Sequence, residues 1–289
     1  MGTSAADASI GRGSGGLVGG EEEPVSHSVD VNVPSVARMY DWLLGGTDNY
    51  AADEDACLQL LRIVPTTRAL ALNNRLFLQR VVHTLATEYG IRQFLDHGSG
   101  LPTQDNVHQV AQRVDSDARV VYIDNDPLVL AHGRTLLDQN DRTTVIQAEM
   151  TDTDGIFEHP DVRRLIEFKA PVAALFVSVL HCIPDEDDPA GMIERVASRL
   201  VPGSIMVVCQ LVSEHRHIRD SVTEFMAQST NGSWGRVREP REVDAYFIGK
   251  EILEPGLVEV SRWRPDTEVR PRQGRDPEWI EYGGVARLR

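Results

Sequence analysis

The chain is poor in cysteine: only three occur in 289 residues, and no two of them stand in a C-x-x-C pair. A zinc site or a disulfide framework needs several cysteines at short, regular spacing. We therefore expect no metal site. Cys57, Cys182 and Cys209 are interpreted as buried, reduced thiols, which are typical of a cytoplasmic protein.

Long hydrophobic runs and an excess of positive charge are also missing. No stretch is long and apolar enough to span a bilayer, and the N-terminus has no cationic start followed by an apolar core. The formal net charge of −15 disfavours a protein that coats nucleic acid or an anionic membrane. We therefore expect a cytoplasmic protein that acts on a small molecule and binds neither nucleic acid nor membrane.

Composition divides the chain into three parts. Residues 1–33 are rich in Gly, Ser and Ala and carry an acidic run, so a disordered tail is predicted there. Residues 34–90 show three helical patterns and are interpreted as an N-terminal helical extension or lid. Residues 91–289 form the predicted main domain.

The main domain alternates predicted strands with predicted helices. Strands are expected at 92–95, 119–123, 144–148, 172–178, 204–209, 257–264 and 281–288. Helices are expected at 127–138, 159–167, 188–200, 218–228 and 241–247. This alternation predicts an α/β fold with a doubly wound, mainly parallel, Rossmann-like sheet of seven strands. The last two strands are expected to pair with each other, which gives the sheet an antiparallel last strand.

The centre of the main domain is the run Asp96-His-Gly98-Ser99-Gly100 at the end of the first strand. A helix is expected directly after it, with Pro102 near its first position. Asp124 then ends the second strand. A strand, a glycine turn, a helix, a strand and an acid build a nucleoside site in an open α/β sheet. The glycines let the backbone approach the ligand, the helix N-terminus attracts an anionic group, and Asp124 accepts hydrogen bonds from ribose.

The glycine turn lacks one feature of a dinucleotide site. Thr103 stands where the third glycine of G-x-G-x-x-G belongs, and Asp96 would repel a pyrophosphate. The pattern D-x-G-x-G instead resembles the first motif of class I S-adenosylmethionine (SAM) methyltransferases. A carboxylate suits that ligand, because SAM carries an ammonium and a sulfonium.

A second stretch, residues 35–53, combines an apolar helical stripe with an unusual density of polar groups on both sides of Gly45-Gly46. One interpretation is a lid over a polar ligand, in which Arg38 pairs with the methionine carboxylate and the rings of Tyr40 and Tyr50 shield the sulfonium. The alternative is a helix that only packs on an edge of the sheet. Asn49 belongs to the same lid hypothesis.

Three segments together carry a narrower resemblance: residues 37–50, residues 96–104 and the run Glu254-Pro-Gly-Leu-Val-Glu-Val-Ser-Arg-Trp-Arg-Pro265. They are similar to an actinobacterial family of SAM methyltransferase-like proteins. The resemblance implies a class I fold, SAM as cofactor and methyl transfer to an unidentified acceptor. In chain order, the candidate cofactor-binding residues are Arg38, Tyr40, Asn49, Tyr50, Asp96, Gly98, Ser99, Gly100, Asp124, Asn125, Glu149, Met150 and Ser178.

The resemblance assigns the segment after the fourth strand to the methyl group, which makes His181 the candidate catalytic base. A histidine that only packs over the cofactor is an equal alternative, and His97, Asp41 and Tyr40 are further candidates for a base. Two other functions stay open from sequence. One is a SAM-binding regulatory or interaction protein without transferase activity, and the other is a nucleotide-dependent oxidoreductase.

Overall fold

A computed structural model describes residues 29–103, 105–136, 140–265 and 278–289. The predicted tail therefore lies largely outside the described residues. The described helices are α1 (Val36–Leu44), α2 (Ala51–Ile63), α3 (Thr67–Thr87), α4 (Val107–Val114), α5 (Pro127–Leu136), α6 (Thr153–Glu158), α7 (Pro160–Leu165), α8 (Pro189–Ser198), α9 (Arg216–Ser229) and α10 (Pro240–Ala245). The described strands are β1 (Gln93–His97), β2 (Arg119–Asp124), β3 (Thr143–Gln147), β4 (Ala173–Val177), β5 (Ile205–Val212), β6 (Glu251–Ile252), β7 (Val258–Glu259) and β8 (Ile280–Arg287).

The strands form one sheet in the order β3-β2-β1-β4-β5-β8-β6, and the short β7 also pairs with β8. Strands β1 to β5 are parallel, and β8 runs antiparallel to β5 over its whole length. The mainly parallel, Rossmann-like α/β fold is therefore confirmed, including its antiparallel last strand. The strand order reverses between β1 and β4, and ligands bind beside the carboxyl ends of the strands at such a switch point.

Helices cover both faces of the sheet, and this explains the apolar strands. Successive residues of a strand point to opposite faces, so Phe94 packs in the core shared with α3 while Leu95 packs in the core on the other side. A third apolar cluster joins α1 and α2 to α9. The N-terminal helices thus share apolar cores with the main domain.

The end of the sheet differs from the expected seven strands. The pattern at 257–264 yields only the two residues of β7, since the chain turns into a 3₁₀ segment at Val260–Arg262. The adjoining β6 was not predicted, and neither was α6, which begins after the N-cap Asp152. The described part of the sheet accordingly has eight strands. Two of them are too short to show period-two alternation.

The start of α4 also differs from expectation. The helix begins at Val107 rather than near Pro102, because Asn106 and Gln109 form a capping box there. A loop therefore separates the glycine turn from the helix N-terminus. The expectation that this N-terminus follows the turn directly was wrong, and its role toward an anionic group stays a prediction.

Candidate active site

A cavity of about 740 Å³ lies at the carboxyl ends of β1, β2, β3 and β4, beside the switch point of the sheet. This volume falls within the range of ~300–1,000 Å³ that small-molecule sites occupy. Its floor is the glycine turn, and α1 and α3 form one wall. Another part of the lining consists of buried apolar side chains that pack in one cluster and come from β5, α9 and two further segments, namely Leu211, Met226, Trp234 and Trp279.

The glycine turn has the shape of a backbone cradle. Gly98 has φ of 68°, and a Cβ atom there would lie 2.2 Å from Cγ2 of Val179. Gly100 has φ of 66°, and a Cβ there would have no neighbour within 4 Å, so its Cα faces open space. The turn is fixed by two backbone donors: N–H of Gly98 bonds to the carbonyl of Ile123, at 2.8 Å, and N–H of Gly100 bonds to Asp124. Only glycine fits both positions without strain.

Two buried carboxyl groups flank this turn. Burial raises the pKa of Asp96 to about 7, which the nearby Arg75 guanidinium opposes and Asp124 reinforces. Burial likewise raises the pKa of Asp124 to about 6, although the N–H groups of Asp126, Gly100 and Asn125 favour its charged form. A cationic ligand would favour ionisation of both acids, so this end of the cavity is suited to positive charge.

The residues after β3 reach the same end. Glu149 accepts two hydrogen bonds from the side-chain amide of Asn125, each of 3.2 Å. Met150 lies at the turn, with its Cε 3.3 Å from the Cβ position of Gly98. The hydroxyl of Ser99 is buried without a hydrogen-bond partner among the described residues. All four line the cavity.

Ser178 stands at the end of β4 with a left-handed φ of 57°. Its hydroxyl donates a hydrogen bond to Oε1 of Glu281 on β8. Glu281 lines the cavity and is 2% exposed, and burial raises its pKa to about 7. Sequence reasoning missed this carboxylate. The available indication was a single acid in the run Ile280-Glu-Tyr-Gly-Gly-Val285, which was otherwise interpreted as an ordinary strand.

Arg38 lines the cavity, but two of its three guanidinium nitrogens donate to other groups of the protein. Nε bonds to Asp53 at 2.8 Å, and Nη2 bonds to the carbonyl of Val33. Asp53 is fully buried and also accepts from the N–H groups of Ser35 and Tyr50. The structure thus shows Arg38 neutralising a buried acid that organises the N-terminal segment. The methionine carboxylate is not needed to explain its position.

The other lid residues separate into two groups. Tyr40 lines the cavity, where its hydroxyl donates to the carbonyl of Ala71 and accepts from the amide of Asn74. Asn49 and Tyr50 do not line it. The amide of Asn49 bonds to Asp41, at 2.8 Å, and the Tyr50 ring is 39% exposed, with Cζ of Arg38 5.2 Å from its centroid. The structure therefore does not bring Asn49 and Tyr50 to the predicted site.

His181 lines the cavity but is poorly suited to accept a proton. Burial lowers its pKa to about 3, and the positive charge of Arg238 adds to that effect. Its Nδ1 already accepts from N–H of Leu211, at 3.3 Å, so the ring hydrogen belongs on Nε2. The ring also lies against Trp234, with centroids 4.8 Å apart. These contacts favour the packing alternative for His181.

The other candidate bases lie away from the cavity or are poor acceptors. Neither His97 nor Asp41 lines it. His97 is buried and stacks on Phe176, and Asp41 bonds to the turn after α1. Burial raises the pKa of Tyr40 above its usual value, so its hydroxyl stays protonated. No group of three or more His, Cys, Asp or Glu side chains in the described ranges is arranged to hold a metal ion.

Comparison with known proteins identifies the relatives of this chain. A family profile described as S-adenosyl methyltransferase matches residues 22–289. A crystal structure of a candidate methyltransferase from Thermobifida fusca YX is 39% identical, covers 90% of this chain and 96% of its own, and superposes with a TM-score of 0.84. A crystal structure of a DUF574 family protein from Streptomyces avermitilis MA-4680 is 35% identical. The match covers 90% of this chain and 99% of that protein, with a TM-score of 0.83. No curated protein matches the chain.

Proposed function

This chain belongs to the S-adenosyl methyltransferase family and is a SAM-dependent methyltransferase, and on that premise we propose that it methylates a small molecule with an apolar body. The donor end of the cavity comprises the glycine turn with Asp96, Asp124 and Glu149. The acceptor end comprises the apolar side chains around Trp234 and Trp279.

The acceptor end carries the proposal. Leu211, Met226, Trp234 and Trp279 line it, and each is less than a tenth exposed. Tryptophan and methionine surfaces favour an apolar ligand, because burying the ligand removes apolar area from water. Both ends belong to one cavity of about 740 Å³. A cavity of this size suits a cofactor together with a small acceptor.

In this proposal, different residues at the donor end bind different parts of SAM. Asp96 faces the cationic methionine moiety, and the backbone of Gly98 and Gly100 allows close approach. Asp124 accepts from the ribose hydroxyls, and Glu149 and Met150 contact the adenine. Bound SAM supplies an activated methyl group, so the protein has to align the acceptor, exclude water and remove a proton.

The test is a turnover assay with methyl-labelled SAM and a cell extract divided into a low-molecular-mass filtrate and a macromolecular retentate. We expect S-adenosylhomocysteine (SAH) to form with the filtrate and not with the retentate. Turnover only with the retentate would mean a macromolecular acceptor and would contradict the proposal. Tight SAM binding without turnover in either fraction would indicate a regulatory protein.

The remaining expectations belong to the same proposal. A cytoplasmic location is supported by the free thiols of Cys57, Cys182 and Cys209. No helix within the described ranges has the length and apolar character needed to cross a membrane. The division into a tail at 1–33, a helical part at 34–90 and a catalytic part at 91–289 also stays a proposal. The acidic net charge supports a partner other than nucleic acid.

A further inference from the structure

Glu281 is a buried carboxylate without a cationic partner among the described residues. Its Oε1 accepts from the hydroxyl of Ser178, and its Oε2 has no hydrogen-bond partner there. Within the described ranges, the side chains that influence its ionisation are Ser178 and Cys209, and neither is cationic. Burying a carboxylate unpaired is costly, so such a group persists where a ligand or the chemistry uses it.

The position of Glu281 connects the two ends of the cavity. Ser178, its donor, precedes Val179, whose Cγ2 lies 2.2 Å from the Cβ position of Gly98 in the donor turn. Cys182 lies within the electrostatic reach of both Asp124 and Glu281. Glu281 is therefore linked through Ser178 and Val179 to the donor turn, and it lines the same cavity as the apolar side chains of the acceptor end.

The two ends of the cavity thus each contain a carboxyl group of their own. In the proposed function, Asp96 interacts with the positively charged methionine moiety of SAM. Glu281 has no such assignment, and it lines the same cavity as Trp234 and Trp279. A carboxylate beside aromatic rings is suited to an ammonium group, because both the negative charge and the ring faces attract a cation.

Building on the proposed function, we propose that the acceptor is an amine with an apolar body, and that Glu281 binds its ammonium group and takes its proton. In this step Glu281 accepts a proton from the ammonium, which frees the nitrogen lone pair. The nitrogen then forms a bond to the methyl carbon as the carbon–sulfur bond breaks. The electron pair of that bond stays on sulfur, which gives SAH, and Glu281 later releases its proton to water.

The electrostatics support this role. Burial raises the pKa of Glu281 to about 7. This value is closer than that of an ordinary carboxyl group to the pKa of an alkyl ammonium, which for lysine is about 10.4 in water. The apolar end lowers the pKa of a desolvated ammonium further. The titratable groups that face Glu281 from neighbouring elements are Tyr40, Cys182 and Cys209. Burial raises the pKa of each thiol and of the phenol, so all three stay neutral.

The experiment uses two probes that differ only in the polar group, phenethylamine and phenethyl alcohol. Each is titrated calorimetrically into the full-length protein saturated with SAH. We expect the amine to bind the wild type at least tenfold more tightly than the alcohol. In Glu281→Gln the affinity for the amine should fall at least tenfold, while the affinity for the alcohol should stay within twofold of the wild-type value. Equal binding of both probes, no binding of the amine, or a preference that persists in Glu281→Gln would overturn the proposal.

Three controls separate the possible failures. Glu251→Gln, on β6 beside the same strand β8, should leave both probe affinities unchanged, since this side chain does not line the cavity. The affinities for SAM and SAH should stay within twofold in Glu281→Gln. A loss for SAM alone would make Glu281 the partner of the sulfonium and overturn the inference. Turnover with the small-molecule filtrate, without the amine preference, would refute the amine acceptor and keep the proposed function.

Discussion

The donor end and the acceptor end of the cavity are built in different ways. The donor end is formed by short, continuous runs at the ends of β1, β2 and β3, each containing its own acid or glycine. The acceptor end collects Leu211, Met226, Trp234, and the neighbours Trp279 and Glu281, and these come from four stretches of the chain that lie far apart in sequence or on different elements. A local motif can therefore reveal the first end, whereas the second exists only when the chain is folded.

In the N-terminal segment, the substitution with the largest expected effect is Arg38→Ala. It leaves Asp53 buried without its cation, which typically costs about 3–5 kcal/mol. We expect a melting temperature lowered by ten degrees or so, with a SAM affinity within twofold of wild type at a temperature where the variant is folded. Calorimetry and a melting curve measure both. A tenfold loss of SAM affinity with unchanged stability would restore the lid hypothesis.

The donor end is tested by Gly98→Ala. The added Cβ would lie 2.2 Å from Val179 and impose a strained φ, so the turn must shift where the cofactor approaches it. We expect SAM affinity to fall about a hundredfold, which corresponds to about 2.7 kcal/mol.

Gly45→Ala is the matched control for that variant. Gly45 has φ of 85° but no neighbour within 4 Å of its Cβ position, and it lies outside the cavity. The same kind of backbone strain should lower the stability of the Gly45→Ala variant and leave its affinity for SAM unchanged. Equal affinities in Gly98→Ala and wild type would mean that the donor lies elsewhere.

The smallest expected effect is a pH dependence that both ends share. Burial raises the pKa of Asp96 and Glu281 to about 7, so the folded protein without ligand favours their protonated forms. The stability that this provides is lost as the pH rises through 7. His97 and His181, whose pKa values are lowered to about 4 and about 3, act in the opposite direction below about pH 6.5.

Between pH 6.5 and 8 the carboxyl groups therefore dominate. We expect a loss of stability on the order of 1 kcal/mol over this interval, or a few degrees in melting temperature. Melting curves without ligand measure it. The double variant Asp96→Asn, Glu281→Gln should be nearly independent of pH over the same interval. A wild-type stability that rises from pH 6.5 to 8 would contradict the assignment of these two acids.

Sequence periodicity predicted the parallel core of the fold because β1 to β5 are continuous apolar runs between helices. The same periodicity predicted too long a strand near the end of the chain. Residues 257–264 have an apolar pattern, but Val260–Arg262 form a 3₁₀ turn that packs against α3 through contacts distant in sequence, such as Arg80 with the carbonyl of Val260. Local pattern carries no information about such a contact.

Sequence alone was enough to predict that Asp96, Gly98, Gly100 and Asp124 lie together, because strand ends are local features, and all four line the cavity. Their role toward the methyl donor stays a proposal. Only the tertiary structure decided the partners of the remaining groups. Arg38 pairs with Asp53, and His181 accepts a backbone N–H on Nδ1. Glu281 is buried without a cationic partner in the part of the chain that the structure describes. The physical reason is that charge and hydrogen-bonding capacity are properties of a residue, whereas burial and the choice of partner depend on which distant segments pack around it.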